Sequence, residues 1–73
     1  SGAGTKVVAP LNGVINRILV NVGDQVAVDQ VVFVVEAMKM EIEVKSPAAG
    51  TVSAIIASKG ANVVNGQEVL TLN

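Results

Sequence analysis

The residue of this chain whose chemistry stands out is a lysine between two methionines. The surrounding segment reads Glu36, Ala37, Met38, Lys39, Met40 and Glu41. A lysine amine can form an amide, but it is a weak nucleophile while it is protonated, because its lone pair then holds the proton. The same segment could also be a solvated turn whose methionines fill a gap, so the residue types alone leave both interpretations open.

Other catalytic chemistry has little support in the composition. The sequence contains no Cys, His, Trp or Tyr, which removes thiol and imidazole nucleophiles, the usual zinc ligands and the commonest general base. Glu36, Glu41 and Glu43 remain as ordinary hairpin charges, and no second catalytic group accompanies them. We therefore expect no catalytic residue, no metal site and a non-catalytic protein rather than an independent enzyme.

The charge balance argues against two classes of partner. Five Lys or Arg residues stand against six Asp or Glu residues, so no strong field of either sign gathers nucleic acid or acidic lipid. The longest apolar runs are short, such as Val31 to Val35, and no signal peptide is visible. We expect a soluble protein without nucleic-acid or direct membrane contact, and the lack of cysteine fits the cytoplasm.

The elements that position the lysine are predicted to be strands. Sixteen Val and five Ile make more than a quarter of the 73 residues β-branched, which favours an all-β fold. The sequence also repeats itself at an offset of 37, without a gap over thirty positions. The eight identical pairs are Val7/Val44, Pro10/Pro47, Gly13/Gly50, Ile18/Ile55, Gly23/Gly60, Val26/Val63, Gln30/Gln67 and Val32/Val69. We expect two copies of one unit with equivalent core positions.

Each copy is predicted to contain three strands separated by turns. The predicted strands are Lys6 to Ala9, Val14 to Val22 and Val31 to Ala37 in the first copy, then Glu41 to Ser46, Thr51 to Ser58 and Glu68 to Leu72 in the second. Proline and glycine punctuate the turns, and we expect positive φ at Gly13, Gly23, Gly50, Gly60 and Gly66. Two small sheets packed face to face follow from this pattern.

The join between the copies must be a tight hairpin with Met38 and Lys39 at its tip. Such turns prefer Asn-Gly or Asp-Gly because their central residues take positive φ. Met38 and Lys39 contradict this residue preference. Contradictions of this kind are expected at functional positions. Counting back 37 places from Lys39 reaches Gly2, which predicts that the lysine lies at the opposite end of the domain from the chain ends.

At this segment the chain resembles the Ala-Met-Lys-Met signature of biotinyl domains, the carboxyl carriers of biotin-dependent carboxylases, transcarboxylases and decarboxylases. The resemblance covers nearly the whole chain and includes Pro10, Gly13, Val22, Gly23, Asp24 and Pro47. It implies a flattened barrel-sandwich hybrid of two quasi-symmetric four-stranded antiparallel sheets, with biotin amide-linked to Lys39. It also implies that Glu36, Ala37, Met38, Met40 and Glu41 serve ligase recognition and presentation.

The resemblance further implies partners, boundaries and rivals. The partners would be biotin protein ligase and the biotin carboxylase and/or carboxyltransferase domains of a parent enzyme, in the cytoplasm or in an organelle that holds such an enzyme. Residues 1–4 would be a linker or expression remnant, and residues 5–73 the carrier domain. A lipoyl-type carrier, which typically has Asp-Lys-Ala at the tip, and an unmodified structural module of the same fold remain as alternatives.

Overall fold

The computed structural model describes residues 4–73, which form eight β-strands. The strands are β1 (Thr5–Val8), β2 (Gly13–Ile18), β3 (Gln25–Val26), β4 (Val31–Ala37), β5 (Met40–Lys45), β6 (Gly50–Ile55), β7 (Asn62–Val63) and β8 (Glu68–Leu72). They make two four-stranded antiparallel sheets, ordered β1-β8-β6-β3 and β5-β4-β2-β7. The predicted all-β class and the two four-stranded sheets are confirmed. Within residues 4–73 no helix is long and apolar enough to cross a membrane.

The strand boundaries differ from the sequence prediction in one systematic way. Each long predicted strand is shorter than expected, because β2 ends at Ile18 and β6 ends at Ile55. The chain then turns and adds the two-residue strands β3 and β7, which the residue pattern did not predict. Two residues are too few to show a period-2 alternation, so these strands leave no hydropathy signal.

The two copies are interlocked rather than stacked as separate units. Strand β3 of the first copy pairs with β6 of the second, and β7 of the second pairs with β2 of the first. The backbone bonds are reciprocal: Gly23 N donates to Val52 O at 2.8 Å, and Gly60 N donates to Ile15 O at 2.8 Å. Each donor and each acceptor is 37 positions from its counterpart, so a two-fold relation governs the whole sandwich.

The core follows the same relation, as the offset predicts. Val7 and Val44 are 2% and 8% exposed, and Val26 and Val63 are 5% and 3% exposed. Val32 and Val69 are both fully buried, whereas Ile18 and Ile55 are both half-buried against the core. Every predicted pair therefore has matching burial.

Three of the five predicted positive-φ glycines have that conformation. Gly23, Gly60 and Gly66 have φ of 96°, 88° and 87°, but Gly13 and Gly50 do not have positive φ. For Gly13 and Gly50 the prediction was wrong. These two glycines are required by close packing, because a Cβ on Gly13 would lie 2.5 Å from Glu36 O in β4, and a Cβ on Gly50 would lie 2.5 Å from Asn73 O just after β8.

The strand directions place the β4–β5 hairpin and the described chain ends at opposite ends of the sandwich. Gly13, at the start of β2, packs against Glu36 and Ala37 beside the hairpin. After β2 ends, Gly23 donates to Val52, whose partner on β8 is Leu72. Gly2, on which the sequence prediction relied, lies outside the described residues, but the placement of Leu72 agrees with that prediction.

Candidate functional site

The candidate site is the two-residue turn between β4 and β5. Ala37 pairs directly with Met40, which leaves Met38 and Lys39 as the two central residues of the turn. Their φ values are 52° and 66°. Positive φ at both positions is the pattern of the hairpin turns that match the twist of the flanking strands, and it is uncommon in residues other than Gly, Asn and Asp. The predicted strained tip is therefore present.

The side chains of the turn extend into solvent. Met38 is 95% exposed, Met40 is 63% exposed, and Lys39 is also exposed. A methionine at that exposure fills no gap in the core, so the interpretation of a turn packed by its methionines does not hold for Met38. The turn presents a primary amine with a flexible thioether on each side.

The acidic residues of the segment lie opposite each other one step behind the turn. Glu36 on β4 pairs with Glu41 on β5, and both are exposed. Like charges at directly opposed positions destabilise a sheet. Asn16 Nδ2 donates to Glu36 Oε1 at 3.3 Å, which compensates only one of the two carboxylates. The pairing of Glu36 with Glu41 therefore lowers the local stability of the hairpin next to Lys39.

The structure brings the predicted presentation residues together but divides them between two faces of the hairpin. Glu36 and Glu41 share one face, because they are directly paired. Ala37 and Met40 form the next pair and occupy the opposite face, because successive residues of a strand alternate. A partner that reads all of these residues must therefore enclose the tip rather than contact one side of it.

Residues from neighbouring strands also border the hairpin, and sequence reasoning missed them. A shallow depression beside Met38 is lined by Asn12, Gly13 and Val14 before and within β2, and by Asn62 and Val63 of β7. Asn62 belongs to the other copy and reaches the hairpin only through the pairing of β7 with β2. No local motif could have indicated it.

The described residues thus form a two-sheet sandwich with the exposed Lys39 at the tip of a tight hairpin. The family described as biotin-requiring enzyme matches residues 3–72. The chain belongs to that family, and the resemblance identified from the sequence is confirmed.

Individual relatives agree with this assignment. The chain is 44% identical over 72 residues to a biotin carboxyl carrier protein of Streptococcus mutans, covering 99% of this chain and 55% of the relative. It is 47% identical over 55 residues to the dihydrolipoyllysine-residue acetyltransferase component of a Mycoplasma genitalium pyruvate dehydrogenase complex, covering 75% of this chain and 14% of the relative. The chain therefore spans about half of the first relative and a small part of the second.

A solved structure shows the same fold. The Kluyveromyces lactis urea carboxylase superposes with a TM-score of 0.92 at 26% sequence identity, covering 100% of this chain and 6% of that protein. The fold thus occurs as one small domain within a much larger carboxylase.

Proposed function

We propose that this chain is a biotin carboxyl carrier domain and that Lys39 Nζ holds biotin through an amide bond. The observation that carries the proposal is the turn itself: positive φ at both Met38 and Lys39 sets an otherwise unremarkable lysine at the exposed tip of a rigid hairpin. The family match and the similarity to a biotin carboxyl carrier protein support the choice of cofactor. The site's donor set, one accessible primary amine, fits covalent attachment.

Attachment requires an activated acyl group from outside the domain. The deprotonated Lys39 Nζ attacks the acyl carbon of biotinyl-adenylate, the C–O bond to the phosphate breaks as AMP leaves, and the nitrogen loses one further proton, so that the amide keeps one N–H. The described residues hold no acyl donor and no general base beside this exposed amine, so a biotin protein ligase must supply the activated acyl group and remove the proton. Amide formation also removes the lysine charge.

The domain's own contribution after attachment is position and mobility. When bound, biotin supplies the ureido nitrogen that accepts and donates the carboxyl group, which is the usual division of labour for group carriers. The rigid hairpin holds the attachment point away from the described chain ends. Biotin carboxylase and/or carboxyltransferase domains of a parent enzyme are the proposed partners. Their contacts with the carrier belong at the small end of interface sizes, below about 1,200 Å².

A lipoyl-type carrier is the second candidate, and the similarity to a dihydrolipoyllysine-residue acetyltransferase favours it. The two carriers would use the same fold and the same lysine position. The methionines on both sides of Lys39 support biotin, because the lipoyl pattern is typically Asp-Lys-Ala. An unmodified structural module would have no use for a strained and fully exposed Met-Lys tip.

Intact mass measurement after incubation with biotin protein ligase, biotin and ATP tests the proposal. We expect one biotin per chain, none on Lys39→Arg, and normal labelling of Lys6→Arg, Lys45→Arg and Lys59→Arg. A parallel incubation with lipoate ligase, lipoate and ATP should give no mass gain. Labelling of Lys39→Arg by biotin would contradict the site, and lipoylation without biotinylation would contradict the cofactor.

A further inference from the structure

An open, shallow depression lies beside the attachment hairpin. Its volume is about 440 Å³, within the range of about 300–1,000 Å³ that small-molecule pockets occupy. Val63, only 3% exposed, lies at its base, and Gly13 contributes no side chain. Met38, the neighbour of the proposed attachment lysine, borders it. A group attached to the exposed and flexible side chain of Lys39 can therefore reach the depression.

The lining combines apolar surface with amide and carboxylate groups. Val14 is 37% exposed and Met38 is 95% exposed, so both offer apolar contact. The side-chain amide of Asn12 is anchored because its Oδ1 accepts a hydrogen bond from Asn65 N at 2.8 Å. Among the described residues, no atom accepts a hydrogen bond from Asn12 Nδ2. Asn62 and Glu36 are exposed residues that also line the depression, and a carboxylate such as that of Glu36 is a hydrogen-bond acceptor.

This set of groups complements a cyclic urea fused to a thioether ring. The urea carbonyl accepts hydrogen bonds and its two N–H groups donate them, so amide donors and a carboxylate acceptor suit both ends. The thioether ring is apolar and suits contact with the valine and methionine side chains. Biotin has both parts in its bicyclic head.

The two-fold relation shows which features of the depression belong to the scaffold. The two residues at the base of the depression, Gly13 and Val63, have the same residue types at the equivalent positions of the opposite end, Gly50 and Val26. The rim is different there. Asn12, Val14 and Asn62 are replaced by Ala49, Thr51 and Gln25. The repeated fold requires the base, whereas the rim is particular to the end that carries the lysine.

We propose that this depression holds the bicyclic head of biotin attached to Lys39 between visits to partner active sites. The inference rests on the proposed attachment at Lys39. Tethering gives the biotin head an effective concentration on the order of mM. A dissociation constant of the same order is therefore sufficient for the head to occupy the depression about half of the time. Such weak binding limits exposure of the head to solvent and still releases it readily to a partner.

The test compares the unmodified and fully biotinylated domain by NMR after mass measurement has established one biotin per chain. We expect biotinylation to shift the backbone amide signals of Gly13 and Val63, which lie beyond the turn. Asn12→Asp keeps the acceptor for Asn65 N but removes the side-chain N–H donors, and Asn62→Asp removes the other amide. In the double variant we expect these shifts to be lost.

The rate of avidin binding gives a second measure of how often the biotin head occupies the depression. A head that is docked half of the time is available for the other half, so the double variant should bind avidin about two-fold faster than the unaltered domain. Gln25→Glu, the equivalent change at the opposite end, should alter neither measurement. Full biotinylation with shifts confined to residues 37–40 would overturn this inference alone. Absence of any mass gain would instead overturn the proposed attachment.

Discussion

The carbonyl oxygen of Glu36 lies where a side chain on Gly13 would begin. A Cβ on Gly13 would be 2.5 Å from Glu36 O, and a Cβ on Gly50 would be 2.5 Å from Asn73 O. Glu36 and Asn73 are themselves 37 positions apart, so the same close approach of strands occurs once beside the hairpin and once beside the described carboxyl end.

We expect Gly13→Ala and Gly50→Ala to lower the free energy of unfolding by similar amounts, about 1–3 kcal/mol, because in each case a backbone segment must shift to admit the methyl group. Urea denaturation measures this loss. The functional effects should differ. Only Gly13→Ala displaces a strand that leads into the hairpin, so only this variant should slow labelling by the ligase. Equal slowing by both variants would mean that stability, not hairpin geometry, controls the rate.

Replacing Met38 by glycine should raise stability and reduce function. Its φ of 52° is strained for a methionine, and glycine removes strain of about 1 kcal/mol. Biotinylation by the ligase should nevertheless be slower, because one exposed thioether is lost. Thermal unfolding and single-turnover labelling provide the two measurements.

Asp29→Gly is the matched control for that variant. Asp29 has φ of 68°, and its counterpart in the second copy is already Gly66. We expect a smaller gain in stability than for Met38→Gly, because an aspartate tolerates positive φ better than a methionine does, and an unchanged labelling rate. A slower rate in Asp29→Gly would show that stabilisation itself, and not the loss of Met38, impairs labelling.

Removing one charge of the facing acidic pair should stabilise the domain slightly. Glu41→Gln ends the like-charge opposition with Glu36, and for exposed groups we expect a gain below about 0.5 kcal/mol. The gain should shrink as salt is added, because screening weakens the repulsion in the parent domain. Urea titrations at low and high ionic strength test this, and a gain independent of salt would indicate a cause other than charge.

Insertions distinguish recognition of hairpin geometry from recognition of a linear motif. Two residues inserted between Ala37 and Met38 leave Met-Lys-Met contiguous but lengthen the turn, and they should nearly abolish ligase labelling while changing stability little, since loop-closure entropy grows slowly with loop length. The same two residues inserted before Thr5 should leave both properties unchanged. Equal labelling rates for the two insertions would show that the ligase reads the sequence Met-Lys-Met without regard to its conformation.

The sequence allowed the hairpin and the equivalence of the two copies to be predicted, because turn chemistry and an offset of 37 are local or periodic signals. It did not allow β3 and β7 to be predicted, since two-residue strands show no alternation. The positive φ of Asp29 was also missed, although its counterpart Gly66 was identified as a turn glycine. An aspartate can adopt positive φ, but it also occurs in many other conformations, so its presence does not predict this one.

The part of the site beyond the hairpin could not be predicted from motif reading. Asn12 approaches Met38 because β2 pairs with β4, and Asn62 does so only because β7 crosses to pair with β2. The exchange of short strands between copies is a tertiary feature, and nothing in the residues near Asn62 indicates which strand it joins.

The pairing of β1 with β8 repeats the pairing of β4 with β5 residue for residue. Thr5 opposes Leu72 as Ile42 opposes Val35, and the register remains in step along both ladders. A circularly permuted chain, opened within the turn and joined beyond Leu72 and Thr5 by a short loop, would therefore retain all eight strands. If that new loop were given its own Met-Lys tip and the original turn were left intact, the closed ring would be a two-headed carrier with one attachment point at each pole.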